Sequence, residues 1–317
     1  MTERGLVLKS TGSWYRVKLD RETILECRMS GKLRLDGLST TNPVAVGDWV
    51  HVVSDSEPGK GIIKEVLPRR NYVVRQSPRN KHELHLLASN VDQALLVVTI
   101  VQPKLKQGFI DRFLLMTEPY DIPVLLVFNK ADLYGPLERE SFDDLRQLYG
   151  EIGYDCHLAS AENGEGMAIL SKKLTGKTTL IGGQSGVGKS SLLNYLDPGR
   201  LRKTGFISGY SGKGQHTTTF AEMFPFLGGG YIIDTPGIKT LGFNHLSPED
   251  VAHNFREIFA CSARCRFGSR CLHRNEPGCA VLENLGQSEI HTLRYQNYLQ
   301  ILSEVEEQNA WERKREY

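Results

Sequence analysis

The sequence predicts a multidomain α/β protein, and three observations lead to that prediction. Roughly the first 70 residues contain short segments in which polar and apolar residues alternate. The central part of the chain alternates continuous apolar segments with segments of helical periodicity. The last part is charged, has a helical pattern, and contains four of the six cysteines. We therefore predict three domains, at residues 1–70, 71–245 and 246–317.

Length and composition indicate a soluble globular protein. The chain has 317 residues, more than the roughly 100–200 residues of one typical domain. Its longest apolar stretch, residues 94–101, is far shorter than the ~20 residues that span a bilayer, so we expect no membrane partner. The N-terminal segment lacks the apolar core of a signal peptide, so we expect a cytoplasmic protein. The net charge of +2 limits any nucleic-acid surface to a local patch.

The N-terminal domain is predicted to be an OB-fold β-barrel. Alternating segments at residues 14–19, 24–29 and 48–53 are separated by turns that contain Gly, Asp or Ser. About five such strands favour an OB-fold, a barrel that often binds RNA or single strands. A barrel that only packs against the next domain is the alternative. A basic segment, residues 68–82, follows as a predicted linker, and its arginines, including Arg69, could contact RNA phosphates. A solvated linker without a function is the alternative.

The central domain is predicted to be a doubly wound α/β fold. Its apolar strands are continuous, as expected for a sheet that is covered on both faces. The predicted strands are residues 92–101, 124–129, 177–183 and 229–234. The predicted helices between them are residues 109–120, 142–152 and 189–196.

A phosphate-binding loop follows the third of these strands. The segment GQSGVGKS fits G-x-x-x-x-G-K-[ST] and lies between a strand and a helix, as its mechanism requires. Backbone N–H groups and the helix N-terminus would bind the phosphates. Lys189 would neutralise β/γ charge, and the Ser190 hydroxyl would bind Mg²⁺. The predicted contacts are Gly183, Gln184, Ser185, Gly186, Val187, Gly188, Lys189, Ser190 and Ser191.

The segment Asn-Lys-Ala-Asp, after the second strand, is typical of a guanine-binding loop. Asn129 can bond the base, and the Asp132 carboxylate can accept from guanine N1–H and the 2-amino group. Adenine lacks that donor pair, so it would leave the carboxylate unpaired at a high cost. Lys130 would lie along the base plane. The segment Ser160-Ala161 is placed to offer backbone N–H groups to guanine O6.

Two further segments are typical of GTPase switch regions. Asp234 ends an apolar strand, where its carboxylate would hold Mg²⁺ through water, and the Gly237 N–H would meet the γ-phosphate. The segment GKGQHTTT precedes them, and one of its threonines would complete the Mg²⁺ shell only when GTP is present. The candidates are Thr217, Thr218 and Thr219.

The order of these motifs is unusual, because both base-reading segments precede the phosphate loop. In an ordinary small GTPase the phosphate loop comes first. If the old termini were joined and a different loop were opened, the strand pairings of the sheet would stay intact. The sequence therefore predicts a circularly permuted P-loop GTPase that binds GTP and GDP.

The glutamine that orients water in many GTPases is replaced. It would follow Asp-x-x-Gly directly, where this chain has Ile238, a residue that can neither donate nor accept a hydrogen bond. We expect slow intrinsic hydrolysis unless another group positions the water. His216, beside the threonines, is the candidate for that catalytic role, and an exposed loop histidine is the alternative.

The cysteine-rich segment predicts a structural zinc site. Cys265, Cys271, His273 and Cys279 supply three thiolates and one imidazole, a set that tetrahedral zinc prefers. Four protein ligands leave no open position, so catalysis by this metal is not expected. Cys261 is a competing ligand, although the other four already complete the shell.

Basic residues lie between and beside these ligands. They could bind RNA phosphates, and plain surface charge is the alternative. They are Arg264, Arg266, Arg270 and Arg274.

Together these features resemble the RsgA family (also called YjeQ or YloQ) of small-ribosomal-subunit biogenesis GTPases. The resemblance rests on the barrel, the permuted motifs GxxxxGKS and DTPG, the HTTT segment, and a Cys-x-His-x5-Cys knuckle that ends EPGC. It implies a protein that docks on the small subunit and its rRNA late in maturation, hydrolyses GTP faster there, and then leaves. It also implies a catalytic role for His216. One departure is that five residues separate the first two zinc ligands, so either that loop bulges or Cys261 takes part.

Two other functions stay open from sequence alone. One is a GTP-regulated rRNA-binding scaffold with incidental hydrolysis, which Ile238 supports. The other is a GTPase for assembly of the large subunit, against which the family resemblance argues. Nothing in the sequence requires more than a monomer.

Overall fold

The computed structural model describes residues 2–31, 42–76, 84–106, 108–199, 221–235, 243, 245–287 and 289–313. In these ranges the strands are β1 (Thr2–Ser10), β2 (Tyr15–Leu19), β3 (Ile24–Met29), β4 (Trp49–Ser54), β5 (Lys60–Val66), β6 (Tyr72–Gln76), β7 (Leu84–Ser89), β8 (Gln93–Val98), β9 (Val124–Phe128), β10 (Asp155–Leu158), β11 (Lys177–Gly182), β12 (Glu222–Pro225) and β13 (Gly230–Asp234). The helices are α1 (Phe109–Thr117), α2 (Pro136–Glu151), α3 (Met167–Leu174), α4 (Lys189–Leu196), α5 (Pro248–His253), α6 (Arg256–Ser262), α7 (Ala280–Glu283) and α8 (Thr292–Arg313). None of these helices has the length and apolar character needed to cross a membrane.

Strands β1 to β5 close into a barrel. Their order is β1-β2-β3-β5-β4, and β1 also pairs with β4, which completes the ring. Alternate side chains of each strand fill the interior, including Val7, Val17, Cys27, Val52 and Ile63. This arrangement confirms the predicted five-stranded N-terminal barrel, since the period of two in the sequence is what buries one face of each strand.

The described part of the basic segment after the barrel, up to residue 76, contains a β-strand. Its strand β6 pairs antiparallel with β7. Arg69, just before β6, donates to both carboxylate oxygens of the fully buried Asp48, at 2.7 and 2.6 Å. The Ser89 hydroxyl donates to the same carboxylate at 2.6 Å. Arg69 therefore ties the barrel to β6, and its guanidinium is engaged by a buried carboxylate rather than open to the RNA phosphates that it could have contacted.

Strands β8 to β13 form the sheet of the central domain. Their order is β10-β9-β8-β11-β13-β12, and all neighbours are parallel except the pair β12 and β13. Because the carboxyl ends of parallel strands meet at one edge, the loops after β8, β9, β10 and β11 and the end of β13 lie together there. The order confirms the predicted doubly wound domain and brings the described motif segments, residues 129–132, 160–161, 183–191 and 234, to one edge.

One helix of this domain begins earlier than predicted. Helix α2 starts at Pro136 rather than at residue 142. Pro136 occupies the first helical position, and the Glu138 carboxylate accepts from the backbone N–H of Gly135 at 2.9 Å. The first turn is mostly exposed, so the apolar periodicity used for the prediction begins only at Phe142.

The C-terminal helices pack directly against the central domain. Tyr298, Leu302 and Val305 of α8 are buried. They belong to the same hydrophobic core as Phe113 of α1 and Phe255 beside α6. The metal-ligand segment and the central domain therefore share one core.

Candidate nucleotide site and metal cluster

The predicted phosphate loop connects β11 to α4 at the common edge of the sheet. Gly183 has φ 144°, and a Cβ atom at this position would lie 2.3 Å from the Val97 carbonyl oxygen, so only glycine fits. The Lys189 ammonium donates to the carbonyl oxygens of Gly183 and Gln184, at 2.6 and 2.7 Å. The loop therefore has the strand–loop–helix context that the motif requires, with Lys189 folded over it.

The Asn-Lys-Ala-Asp segment lies directly against this loop. Asn129 is 2% exposed, and its side-chain amide donates to the Val187 carbonyl at 2.8 Å. A Cβ atom on Gly188 would lie 2.4 Å from that amide nitrogen, so glycine at this position permits the contact. The Asn129 Oδ1 atom has no hydrogen-bond partner among the described residues. A buried carbonyl oxygen without a partner is expected where a ligand binds.

The second base-reading segment, predicted at Ser160-Ala161, meets the first. The hydroxyl of the fully buried Ser160 donates to Asp132 at 2.5 Å, and the Ala131 N–H donates to the Ala159 carbonyl at 3.0 Å. Lys130 takes a left-handed backbone conformation with φ 64°. These contacts fix the Asp132 carboxylate next to the segment that carries Ala161.

A cavity of about 420 Å³ opens where these loops meet. Its lining includes the predicted residues Asn129, Lys130, Asp132, Ala161, Gly188 and Ser191. It also includes Leu133, Glu162, Asn194 and Tyr195, which sequence reasoning missed. One signal was available for Tyr195, because residues four apart on a helix share a face and Ser191 was already predicted.

Tyr134 is a further residue that the motifs did not reveal. Its hydroxyl donates to the Asn129 carbonyl at 2.9 Å and accepts from the Ile100 N–H at 3.0 Å. Burial raises the pKa of Tyr134 to about 12, so the hydroxyl keeps its proton and can donate. Tyr134 thus ties the base-reading loop to the loop after β8. Its position just after the motif is the only hint that the sequence offers.

The described part of the switch segments is consistent with the predicted site. Asp234 ends β13, and its register partner on β11 is Ile181, close to the start of the phosphate loop. Ser190 lies in the first turn of α4. The other predicted switch residues lie outside the described ranges. These are His216, Thr217, Thr218, Thr219 and Gly237.

The four predicted zinc ligands converge in the C-terminal region. One ligand atom from each of Cys265, Cys271, His273 and Cys279 lies within 4.8 Å of all the others, and all four residues are buried. The His273 Nδ1 atom lies 3.7 Å from the Cys265 sulfur and 3.4 Å from the Cys279 sulfur. A tetrahedron with Zn–S near 2.3 Å and Zn–N near 2.0–2.1 Å has edges of about 3.5–3.8 Å. The donor set and its spacing therefore fit one zinc ion.

Neighbouring polar groups hold the loop of this cluster in place. The Glu276 carboxylate accepts from the backbone N–H groups of Leu272 and Arg274, at 2.8 and 2.6 Å. Burial alone would raise the pKa of Glu276, but these backbone donors hold it below its usual value. The Tyr295 and Tyr298 hydroxyls each donate to a backbone carbonyl of the same loop at 2.8 Å. Such supporting hydrogen bonds orient metal ligands.

Cys261 is not a member of the described ligand group. Its sulfur accepts from the Arg264 guanidinium at 3.2 Å instead. The five residues between Cys265 and Cys271 include a 3₁₀ turn, Gly268–Arg270, so the loop bulges to bring both thiols together.

The four arginines near the cluster differ in whether a carboxylate pairs with them. Arg264 pairs with Glu289, and Arg274 pairs with Glu306 at 2.5 Å. Arg266 and Arg270 are exposed and have no carboxylate partner within the described part of the chain. Of the four, Arg266 and Arg270 therefore remain available for phosphate contacts.

A larger crevice of about 560 Å³ lies between α2 and α6, away from the motifs. Two of its arginines already have partners, since Arg256 pairs with Glu118 and Arg264 pairs with Glu289. The smaller cavity is the better candidate for a nucleotide, because base-reading and phosphate-binding residues line it together.

Comparison with known proteins identifies relatives over the whole chain. A family model described as RsgA GTPase matches residues 66–244, and one described as RsgA N-terminal domain matches residues 4–63. A protein of Bacteroides fragilis named small ribosomal subunit biogenesis GTPase RsgA is 48% identical over 304 residues, 96% of this chain and 97% of its own. The Porphyromonas gingivalis protein of the same name is 48% identical over 317 residues, 99% of each chain.

Two solved structures share the fold over the same extent. The crystal structure of YjeQ from Thermotoga maritima is 33% identical, with a TM-score of 0.76 over 96% of this chain and 99% of that one. The structure of YloQ, described as a circularly permuted GTPase, is 29% identical, with a TM-score of 0.71 over 97% and 96% of the two chains. The circular permutation predicted from motif order is thereby confirmed at the level of the fold.

Proposed function

The chain belongs to the RsgA GTPase family, and we propose that it hydrolyses GTP to GDP and phosphate while it assists late maturation of the small ribosomal subunit. One observation carries the assignment of the nucleotide site. The Asn129 amide is bonded to Val187 of the phosphate loop at 2.8 Å, although the two residues are 58 positions apart. Guanine selection and phosphate binding are thus adjacent, as one guanine nucleotide requires.

Each residue of the proposed base-reading site makes a different contact with guanine. Asp132 accepts from the guanine N1–H and 2-amino groups, and Ser160, which donates to it at 2.5 Å, keeps the carboxylate oriented. Asn129 bonds the base, Lys130 lies along it, and the backbone at Ala161 faces guanine O6. An adenine nucleotide would leave Asp132 without donors, so the site selects guanine by a mismatch penalty.

The phosphates would lie on residues 183–191. Lys189, now bonded to the loop carbonyls, would turn to the β- and γ-phosphates. Ser190 and Asp234 would hold Mg²⁺ together with one of Thr217, Thr218 and Thr219. When bound, Mg²⁺ neutralises negative charge on the phosphates.

In the hydrolytic step, water attacks the γ-phosphorus and the bond to the β–γ bridging oxygen breaks. We propose that His216 positions this water and that the Gly237 N–H bonds a γ-phosphate oxygen. Ile238 cannot orient water, so the reaction is expected to be slow until His216 is correctly placed.

The cysteine cluster would serve as a structural zinc site. All four ligands are protein side chains, which leaves no position for substrate. A cysteine binds zinc as the thiolate, so zinc would displace protons from the thiols as it binds. Zinc would therefore fold the knuckle rather than take part in hydrolysis.

Two surfaces are suited to rRNA. On the barrel, the Arg28 guanidinium lies 4.0 Å from the centre of the Trp14 ring, and the Lys60 ammonium lies 5.6 Å from it. On the zinc knuckle, the exposed Arg266 and Arg270 flank Phe267, whose exposure is 47%. Cations next to accessible rings bind phosphates and stacked bases. We propose that both surfaces contact rRNA, with the protein acting as a cytoplasmic monomer.

The decisive experiment measures GTP turnover alone, with purified small subunits, and with large subunits, using ATP as the control nucleotide. We expect strong stimulation by small subunits only. Stimulation by large subunits would favour a role in their assembly instead. Unchanged turnover on every particle would contradict the proposal and favour an rRNA-binding scaffold.

The variant His216→Ala separates an enzyme from a scaffold. We expect it to bind GTP and the small subunit normally but to lose stimulated turnover and to remain on the particle. Normal release by this variant would mean that hydrolysis is incidental. Co-sedimentation with each subunit, in GTP and in GDP, provides the readout.

A further inference from the structure

The cavity that contains the base-reading residues has an aromatic side chain in its wall. Tyr195 lies on α4, one turn beyond Ser191, and both residues line the cavity. The spacing of four places them on one face of the helix. Within the described part of the chain, Tyr195 makes no hydrogen bond or ring–ring contact, and it is 48% exposed.

The position of the ring is set by the loop that carries Ser160 and Ala161. A Cβ atom on Gly164 would lie 2.7 Å from the Tyr195 hydroxyl oxygen, so the end of the side chain packs against the glycine backbone. Gly164 has φ 83°, and its N–H donates to the Ser160 carbonyl at 3.0 Å. A bulkier residue at 164 would be strained and would push the ring away.

The same cavity offers two other features that a nucleoside needs. The buried Asn129 Oδ1 atom has no described partner, and Lys130 lines the cavity beside it. An open aromatic ring in such a cavity exposes apolar surface that a flat purine would cover. Contact between a base and an aromatic ring contributes about 1–3 kcal/mol when tested by alanine substitution.

We propose that Tyr195 supplies the aromatic contact to the guanine nucleoside and is a determinant of nucleotide affinity. The inference rests on the proposed function, because it assumes that this cavity holds guanine. Tyr195 acts on nucleotide binding and takes no part in the hydrolytic step. It contributes equally to GDP and GTP, since both carry the same nucleoside.

The test compares dissociation constants of the full-length, zinc-loaded protein for GDP and for a non-hydrolysable GTP analogue. Tyr195→Ala is expected to weaken both about tenfold, whereas Tyr195→Phe, which keeps the ring, stays within about twofold of wild type. At saturating GTP, kcat changes by less than about twofold while KM rises. The control Leu227→Ala removes an apolar side chain, 74% exposed, in the turn before β13 at the opposite edge of the sheet.

Each result has a single meaning. If Tyr195→Ala binds GDP within about twofold of wild type, or if Tyr195→Phe is as weak as Tyr195→Ala, the inference is overturned while the proposed function stands. If the wild type fails to bind GDP, the proposed function itself fails. Should Tyr195→Ala unfold at the assay temperature, Tyr195→Leu is measured by the same criterion, because leucine keeps bulk without a ring.

Discussion

The N-terminal barrel and the C-terminal helices join the same central domain in different ways. The barrel interior has its own core, while Leu6, Leu8 and Val46 on its outside belong to the core of the central domain. Its sheet meets the central sheet at one register pair, Lys9 and Glu222. Glu222 also pairs with Lys9 and Arg16 through side chains, at 2.9 and 3.5 Å. The C-terminal helices instead share the core of the central domain. The barrel junction thus combines a few apolar contacts with partly exposed ion pairs, and the C-terminal junction is a continuous interior.

A buried charge network reinforces the C-terminal junction. Arg294 of α8 is 1% exposed and bonds Asp111 of α1 at 2.6 Å and Glu257 of α6 at 2.7 Å. Asn297 and Tyr149 also donate to the Asp111 carboxylate, at 2.5 and 2.7 Å. Such a network stabilises little relative to apolar packing, but a broken one is costly, so it fixes the relative position of the elements. We therefore expect the C-terminal helices to move together with α1. The barrel is expected to shift more easily relative to the central domain.

The largest expected effect comes from loss of the metal at the C-terminal side. Cys279→Ser should abolish stoichiometric zinc and destabilise the C-terminal region by several kcal/mol, because zinc binding is coupled to folding of such sites. Metal analysis and thermal unfolding provide the measurements. Cys261→Ser is the matched control and should keep one zinc ion per chain. Loss of zinc from the control would mean that Cys261 is a ligand.

The next effect tests the buried network directly. Arg294→Met should lower the free energy of unfolding by about 3–5 kcal/mol, because it leaves the Asp111 charge buried without its partner. Urea denaturation measures the change. The double variant Asp111→Asn/Arg294→Met should recover part of the loss, since the uncompensated charge is gone. Equal instability of the single and double variants would count against the charge network.

A smaller effect is expected at the barrel. Glu222→Gln should lower the free energy of unfolding by roughly 0.5–1 kcal/mol, because its partners Lys9 and Arg16 are 31% and 42% exposed and solvent screens the pairs. The difference should shrink in 1 M salt, as the Debye length falls to about 3 Å. A loss as large as that of Arg294→Met would erase the contrast between the two junctions.

The smallest effect provides the baseline for the series. Arg146 and Asp143 form an ion pair on α2 at 3.1 Å, with both side chains about 60% exposed. Arg146→Ala should change the free energy of unfolding by less than about 0.5 kcal/mol, because exposed pairs within a helix contribute little. A larger change would show that urea denaturation is reporting something other than the two junctions.

The features that the sequence predicted well are local in the chain. The phosphate loop is a continuous segment between β11 and α4, and the four clustered cysteine and histidine residues lie between residues 265 and 279. Their chemistry depends on spacing over a few residues, which can be read directly. The roles of the individual site residues stay predictions, as do the domain limits at residues 70 and 245.

The errors and omissions involve partners that are distant in sequence. Arg69 lies in a segment whose composition is typical of a phosphate-binding linker. Its side chain instead pairs with Asp48, which precedes β4 of the barrel. Tyr134 is a site residue because its hydroxyl joins the loops after β8 and β9, which lie far apart in sequence. Sequence spacing cannot supply those contacts, because they depend on the order of strands in the sheet.

By itself the sequence determined the fold class, the permuted order of the motifs and the identity of the clustered ligands. Each of these follows from periodicity or from short-range spacing, which the backbone geometry of helices, strands and turns imposes. The tertiary structure alone decided which charges are buried, with Arg294 meeting Asp111 across 183 positions. It also decided that the barrel meets the sheet through Glu222. Burial and long-range pairing depend on how whole elements pack, so no local pattern specifies them.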